Sequence, residues 1–160
     1  MATKKAAKKR STRKPARRRT TAPKPSATRV KREPVDPKDV TLVEGKGSAE
    51  RGGGPGGHYW HIQVGDKRAG HVFINVITDQ FFGEHPSIQI HINQSEQGKQ
   101  IGRVAYRLAC EQSSHDKIYA HMRKSNIASR RAAEEAGFEV IEDKRNPQLS
   151  MVWQRKAEKS

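Results

Sequence analysis

The sequence predicts an α/β (α+β) layered domain behind a disordered basic tail. The first observation is the order of its periodic segments: four strand patterns, a helix, a strand, a helix and two closing strands. The second is charge. Of 32 Lys and Arg residues, 14 lie in the first 32 positions, which contain no Asp or Glu. The remainder holds 18 basic and 17 acidic residues, so the net charge of +15 belongs almost entirely to the tail.

Residues 1–37 consist mainly of Lys, Arg, Ala, Thr, Ser and Pro, and they include no aromatic residue. Such a segment cannot bury enough apolar surface to offset its conformational entropy, so we expect disorder. Its closely spaced basic clusters favour a polyanion, and we expect residues 1–32 to contact the phosphates of nucleic acid. A solubilising or targeting tail is the alternative. An anionic membrane surface is less favoured because no apolar anchor accompanies the charge.

Several protein classes are excluded by composition. Cys110 is the single cysteine, which rules out an intramolecular disulfide and a cysteine-rich metal site, and we expect it to be a small buried apolar residue. No apolar run approaches the roughly 18 residues of a membrane span, and the basic N-terminus lacks the apolar stretch of a secretory signal. These observations predict a soluble, intracellular, cytoplasmic protein associated with nucleic acid and not with a membrane.

The folded domain is expected over residues 58–155, after a linker at 38–57 that contains a short strand and a glycine-rich loop. Alternating or β-branched segments predict strands, and apolar residues at helical spacing predict helices. Residues 81–85 are interpreted as a loop. The predicted strands are 40–43, 59–64, 69–78, 86–93, 118–122, 138–142 and 149–154, and the predicted helices are 102–112 and 126–136.

A glycine-containing loop leads into the first predicted helix. The segment 97–103, Gln-Gly-Lys-Gln-Ile-Gly-Arg, follows a strand that ends at Asn93. Loops of this kind present backbone N–H groups at the positive end of the helix dipole, and that arrangement binds phosphate. Taken alone, the segment is equally consistent with an ordinary strand-to-helix connection.

The second helix strengthens the phosphate interpretation. With the loop, it resembles the GNAT superfamily of N-acetyltransferases, in particular the branch that acetylates ribosomal proteins. The loop resembles the family's pyrophosphate pattern of Arg or Gln, two residues, Gly, one residue, then Gly or Ala. The resemblance covers 86–142 closely and 58–155 more loosely. The helix residues in register with that branch are Asn126, Ser129, Arg131, Glu134, Gly137 and Phe138.

The resemblance implies a mixed central sheet, acetyl-CoA as the cofactor, and direct transfer of its acetyl group to an amine. It implies that the strand before the loop pairs with the pantetheine arm and that the loop amides hold the pyrophosphate. The cofactor-binding residues it implies are Ile92, Gln97, Gly98, Lys99, Gln100, Ile101, Gly102, Arg103, Asn126 and Ser129.

Catalysis by direct attack needs a base for the amine and an acid for the thiolate. Many relatives carry a Tyr acid seven residues after the Asn, where this chain has Ala133, so Ser129 is the expected substitute. Candidates for the base are Glu84, which lies beside His85 just before a predicted strand, and His91 on that strand's polar face. A water chain is the alternative.

Two further departures from the family pattern bear on function. Gln100 stands where the family loop has its middle Gly. If this position needs a positive φ, a glutamine there is costly. The segment before Tyr59 lacks the two amphipathic helices that usually form the acceptor side, so the N-terminal side is abbreviated and the acceptor groove is expected to be open. A protein amine is the expected acceptor. The alternative function is a nucleic-acid-binding protein whose GNAT-like domain is catalytically degenerate.

Three histidines on predicted strands are candidate metal ligands. His61, His71 and His91 each fall on a predicted strand, and three His on one sheet could bind zinc. No carboxylate or outer-shell pattern accompanies them. We therefore expect packed or surface histidines and no metal.

Overall fold

The computed structural model describes residues 32–156. The tail prediction and its nucleic-acid contact fall mostly on residues 1–31, outside this range. Seven strands form one mixed sheet in the order β1-β2-β3-β4-β5-β7-β6. The strands are β1 (Val40–Glu44), β2 (His58–Val64), β3 (Lys67–Asp79), β4 (Gly83–Ile92), β5 (Lys117–Met122), β6 (Glu139–Ile141) and β7 (Leu149–Gln154), and the helices are α1 (Ile101–Gln112) and α2 (Ile127–Glu135).

The predicted fold class and element order are confirmed. One assignment was wrong: part of the segment 81–85, interpreted as a loop, belongs to β4, which begins at Gly83. The reason is a tight turn. The side-chain oxygen Oδ1 of Asp79 accepts hydrogen bonds from the backbone N–H groups of Phe81 and Phe82, at 2.8 and 2.7 Å. The chain reverses within three residues, so β3 and β4 stay paired as far as Asp79 and Gly83.

The apolar core lies between one face of the sheet and α1. Alternate strand residues such as Ile62, Ile88 and Ile118 are at most 2% exposed, and Ala105 and Ala109 of α1 are fully buried against the same cluster. Burying an Ile side chain contributes roughly 1.5–3 kcal/mol. Cys110 is fully buried as predicted, and burial raises the pKa of its thiol well above the usual range. It is therefore an inert packing residue.

The pairing between β4 and β5, at the centre of the sheet, involves the fewest residues. β4 and β5 run parallel, and their register pairs only Ser87 with Tyr119 and Ile88 with Ala120. Beyond Ile88, β4 continues in register with β3 as far as Ile92. Among the described residues, no strand pairs with the edge of β4 that faces β5 over this stretch. The carbonyl of Ile92 accepts from Nε2 of Gln97 at 3.1 Å, and the remaining backbone N–H and C=O groups of this edge are available.

Residues 45–57, between β1 and β2, contain no helix, in agreement with the sequence. They form a loop that packs on β3. The side chain of Asn75 accepts from the N–H of Gly52 at 2.7 Å and donates to the carbonyl of Glu50 at 2.6 Å. In the family pattern two amphipathic helices precede the strand that begins at His58, and the sequence predicts that this chain lacks them. None of the helices formed by residues 32–156 is both long enough and apolar enough to cross a membrane.

Two residues assigned to the tail contact the domain. The backbone N–H of Val35 donates to the carbonyl of Lys99 at 3.0 Å, and Val35 packs against the core. Arg32 contacts the loop that follows β4. The segment 32–37, which the sequence assigned to the tail, therefore includes residues that contact the domain. These contacts hold the N-terminal segment against the loop that enters α1.

Candidate functional site

A pocket of about 550 Å³ opens between the free edge of β4 and the two helices. Its walls come from the end of β4, the loop after it, the first turns of α1 and the first turns of α2. Nine of the ten residues implied in cofactor binding line it. They are Ile92, Gln97, Gly98, Gln100, Ile101, Gly102, Arg103, Asn126 and Ser129.

The loop enters α1 through two residues with positive φ. Gly98 has a φ of 80°, and Gln100, which precedes the first turn of α1, has a φ of 62° and a ψ of 25°. Gln100 is the one non-glycine residue with positive φ among residues 32–156. Position 100 therefore does need the left-handed backbone conformation for which the family pattern has Gly. For an L-residue such as Gln, this conformation costs about 1–2 kcal/mol.

The positive end of α1 is open toward the pocket. No side chain of the described residues caps its first turn, and no acidic residue lies in that turn. Its first backbone N–H groups lack intrahelical acceptors, and the helix dipole adds partial positive charge at the same place. This end of the pocket suits an anion such as a phosphate group.

Lys99 is the exception among the ten residues, since it does not line the pocket. Its ammonium donates to Oε2 of Glu96 at 2.8 Å, and Nζ of Lys67 lies 2.6 Å from the other carboxylate oxygen. Glu96 is 3% exposed, and hydrogen bonds from Lys67 and Lys99 hold its pKa below the usual range. Lys99 therefore neutralises a buried carboxylate that anchors the loop.

Arg32 is a site residue that sequence reasoning missed. Its guanidinium donates to the backbone carbonyls of Gln94 at 3.0 Å and Gln97 at 3.1 Å, and also to that of Ser95. It thereby holds the short turn that leads into the pocket-lining loop. In the sequence it reads as the last basic residue of the tail, and the only signal of its role is its proximity to the domain.

The N-terminus of α2 forms the opposite wall. Oδ1 of Asn126 accepts from the backbone N–H of Ser129 at 3.2 Å, so Asn126 caps its own helix. Ser129 faces Tyr106 of α1, a pocket residue that sequence reasoning also missed. Burial raises the pKa of Tyr106 to about 12, although interaction with the Ser129 hydroxyl lowers it in part. The Tyr106 phenol is therefore neutral and can donate a hydrogen bond.

The predicted catalytic residues are separated by the structure. Ser129 and His91 line the pocket, whereas Glu84 is exposed near the start of β4 and does not line it. Ala133, where relatives carry a Tyr acid, is fully buried in the core, so no polar group reaches the pocket from that position.

The three histidines considered for zinc form a row across the sheet, with His61 beside His71 and His71 beside His91. The rings of His71 and His91 stack at 5.2 Å between centroids. Burial, then the facing His91, lowers the pKa of His71. Within residues 32–156, the group with ligand atoms close enough for a metal is a different one, Asp79, His85 and His121.

Comparison with known proteins shows which family the chain resembles. A sequence model of the acetyltransferase (GNAT) family matches residues 25–138. No curated protein matches the chain.

Solved structures of acetyltransferases share the fold. The Bacillus subtilis acetyltransferase in complex with CoA is 14% identical, with a TM-score of 0.53 over 72% of this chain and 98% of that chain. The Salmonella typhimurium protein yncA, with its cofactor acetyl-CoA, is 17% identical, with a TM-score of 0.51 over 66% and 68%. The spermidine N-acetyltransferase from Vibrio cholerae, with CoA and spermine, is 20% identical, with a TM-score of 0.50 over 62% and 66%. The chain spans about two thirds of the latter two proteins.

Proposed function

The chain belongs to the acetyltransferase (GNAT) family, and we propose that it transfers the acetyl group of acetyl-CoA to an amine. One observation carries this proposal: the uncapped N-terminus of α1 and the free edge of β4 open into the same pocket. Helix N-terminal amides suit the pyrophosphate, and a free strand edge suits the amides of the pantetheine arm. The Salmonella and Vibrio structures contain acetyl-CoA and CoA, respectively, which supports this choice of cofactor.

The residues of the pocket have distinct roles in this proposal. The first-turn amides of α1, from Ile101 to Arg103, bind the pyrophosphate, and Gly98 allows the loop to turn toward it. The edge of β4 near Ile92 orients the pantetheine arm. Arg131, which also lines the pocket, adds positive charge for the remaining phosphate.

When bound, acetyl-CoA supplies the activated acetyl group as a thioester. The acceptor amine forms the new C–N bond, the C–S bond breaks, and one proton must leave the nitrogen while another reaches the sulfur. Ser129, which lines the pocket with Tyr106 behind it, is the acid we propose for the departing sulfur. His91, exposed at the pocket wall, is the base we propose for the amine.

The acceptor we propose is a protein amine in an anionic assembly. Two features support it: residues 45–57 contain no helix, whereas the family pattern has two helices on the acceptor side, and residues 1–32 carry 14 basic residues and no acidic one, a charge that favours polyanions. The Vibrio relative acts on spermidine, so a free polyamine is the competing acceptor.

Labelled acetyl-CoA tests the reaction and its acceptor. The full chain is incubated with it and either ribonucleoprotein or free spermidine, and acetylated products are identified by mass spectrometry. Labelled protein amines with release of free CoA support the proposal. Turnover of spermidine with no protein acetylation contradicts the acceptor, and no CoA release from any amine contradicts the activity.

A second function, a nucleic-acid-binding protein with a degenerate domain, is favoured by the strained Gln100 and the buried Ala133. Deleting residues 1–31 tests whether DNA binding by the tail is separable from cofactor binding by the domain, because it removes 13 basic residues and keeps Arg32. We expect the shortened chain to keep its acetyl-CoA affinity and to lose both its DNA affinity and the salt dependence of that affinity. DNA binding is compared at two salt concentrations. Equal DNA affinity of both chains contradicts a role for the tail.

A further inference from the structure

A cluster of three side chains outside the pocket has the geometry of a metal site. Asp79 ends β3, His85 lies in β4 and His121 lies in β5. The two Nε2 atoms of the histidines are 2.8 Å apart, and Oδ2 of Asp79 lies 3.7 Å from that of His85 and 3.9 Å from that of His121. The geometry points to a site for a divalent transition metal such as Zn²⁺, held by Asp79, His85 and His121. This inference does not depend on the proposed acetyl transfer.

Each of the three side chains is anchored by its other polar atom. Nδ1 of His85 lies 2.8 Å from the carbonyl of Gly83, which can only accept, so the hydrogen sits on Nδ1 and the lone pair on Nε2. Oδ1 of Asp79 accepts from the amides of Phe81 and Phe82, which turns Oδ2 toward the two rings. These are the outer contacts that fix metal-binding side chains in proteins.

His121 is anchored by the neighbouring strand β7. Its Nδ1 lies 2.9 Å from Oγ of Ser150 in β7, and Oγ of Ser150 also accepts from Nδ2 of Asn146 at 2.9 Å. If Nδ1 of His121 donates to Ser150, both Nε2 lone pairs point at each other and only a cation between them relieves the repulsion. The alternative is that the Ser150 hydroxyl donates to Nδ1 of His121, so that Nε2 of His121 carries the hydrogen and donates it to Nε2 of His85 with no metal.

The distances suit a tetrahedral ion after small shifts. Zn–N bonds of 2.0–2.1 Å place ligand atoms about 3.3 Å apart. The observed separations, 2.8, 3.7 and 3.9 Å, lie on both sides of that value. Two imidazoles and a carboxylate favour Zn²⁺ or another nitrogen-binding metal over Ca²⁺ or Mg²⁺, which prefer oxygen. Three protein ligands leave the fourth position open.

The surroundings protect the site without closing it. The side chains of His85 and His121 are 3% and 12% exposed, and that of Asp79 is 29% exposed, which provides an entry path. The rings of Phe82 and Tyr119 pack on His85 at centroid distances of 5.7 and 4.8 Å and hold its orientation. An ion here would join β3, β4 and β5 beside the short parallel seam, where β4 and β5 have only two register pairs.

Metal titration of matched variants tests the site. The full chain without an affinity tag is freed of metal with a chelator and titrated with Zn²⁺ by calorimetry. Co²⁺ in the visible range then serves as a probe of tetrahedral geometry. Asp79→Asn keeps an oxygen for the Phe81 and Phe82 amides, so the turn should survive while the ligand is lost. Asp116→Asn is the control, since it makes the same change at an exposed carboxylate paired with Arg155.

We expect one Zn²⁺ per chain, a tetrahedral Co²⁺ spectrum, and an affinity at least about 10-fold weaker in Asp79→Asn but unchanged in Asp116→Asn. His121→Asn, a second ligand variant, covers the case in which Asp79→Asn does not fold. Absence of Zn²⁺ binding by the unmodified chain overturns the inference and leaves the hydrogen bond between the two histidines. Equal binding by the unmodified chain and both ligand variants overturns it as well. Zn²⁺ binding that is lost only in His91→Asn also overturns the inference, because it assigns the ion to the row of His61, His71 and His91.

Discussion

The two helix N-termini that flank the pocket are built differently. α2 is capped by its own side chain, because Asn126 accepts from the N–H of Ser129. α1 follows Gln100, whose side chain makes no such hydrogen bond and whose backbone is left-handed. A capped helix end has at least one of its free N–H donors satisfied by the cap, whereas an uncapped end keeps all of them for a ligand. This difference is the reason why we propose the α1 end as the anion site and the α2 end as a wall of the pocket.

The largest expected effect comes from closing the α1 end with charge. Gly102→Glu places a carboxylate at the first turn of α1, where it suits the helix dipole but repels phosphate. We expect acetyl-CoA affinity to fall by about 100-fold, as for like charges at close range, with no loss of thermal stability. Calorimetry measures the affinity for acetyl-CoA, and thermal unfolding measures the stability.

Gly102→Ala is the matched control for that variant. A Cβ at position 102 would lie 3.6 Å from the Cβ of Ala132, which is ordinary contact. We expect nearly unchanged affinity. If Gly102→Ala loses as much affinity as Gly102→Glu, the loss comes from helix packing and the comparison of the two helix ends fails.

Arg32 tests how the uncapped end is supported. Arg32→Ala removes the hydrogen bonds to the carbonyls of Gln94, Ser95 and Gln97. We expect acetyl-CoA affinity to fall about 10-fold, because charged hydrogen bonds of this kind contribute roughly 1.5 kcal/mol. Arg29→Ala, three residues earlier in the tail, is the comparison variant. Equal affinities for the Arg32 variant and the unmodified chain would show that the loop holds its shape unaided.

Asn126→Ala tests the capped end. We expect a loss of about 1 kcal/mol in the free energy of unfolding, typical of a lost cap, and acetyl-CoA affinity within about 3-fold of the unmodified chain, or less than 1 kcal/mol. Asn126→Ser, which can also cap, should recover most of the stability. An affinity loss larger than the stability loss in Asn126→Ala would make Asn126 a direct ligand contact.

Gln100→Gly gives the smallest expected effect. It removes a left-handed penalty of about 1–2 kcal/mol but adds backbone entropy worth about 0.5–1 kcal/mol. We expect a net gain of about 0.5 kcal/mol in unfolding free energy and unchanged or slightly higher affinity for acetyl-CoA. Denaturant unfolding measures the gain. A destabilised Gln100→Gly would show that the Gln100 side chain contributes contacts of its own.

Local patterns in the sequence predicted much of this arrangement. The loop and the Asn126 helix are contiguous motifs, so their chemistry and order can be recognised without the fold. The strained backbone at Gln100 could also be predicted from the sequence, because the loop pattern specifies which positions need glycine. The period of alternation likewise predicted the faces of β4, where Ile88 is buried and Gln89 is exposed.

Long-range contacts account for what the sequence did not predict. Arg32 binds carbonyls more than 60 residues away, and nothing in a basic run distinguishes its last member. Lys99 lies in the predicted phosphate-binding loop, but its side chain points away from the pocket because it binds the buried carboxylate of Glu96. Asp79, His85 and His121 come from three strands, and only the register of β3, β4 and β5 brings them together.

A cycle of two ligands and two proteins tests the central claim that phosphate binds at the open N-terminus of α1. Acetyl-CoA and S-acetylpantetheine, which lacks the pyrophosphate and nucleotide, are each titrated into the unmodified chain and Gly102→Glu. We expect the unmodified chain to prefer acetyl-CoA by about 100-fold and Gly102→Glu to lose most of that preference, with similar acetylpantetheine affinities in both proteins. An unchanged preference for acetyl-CoA in a folded Gly102→Glu chain would contradict the claim.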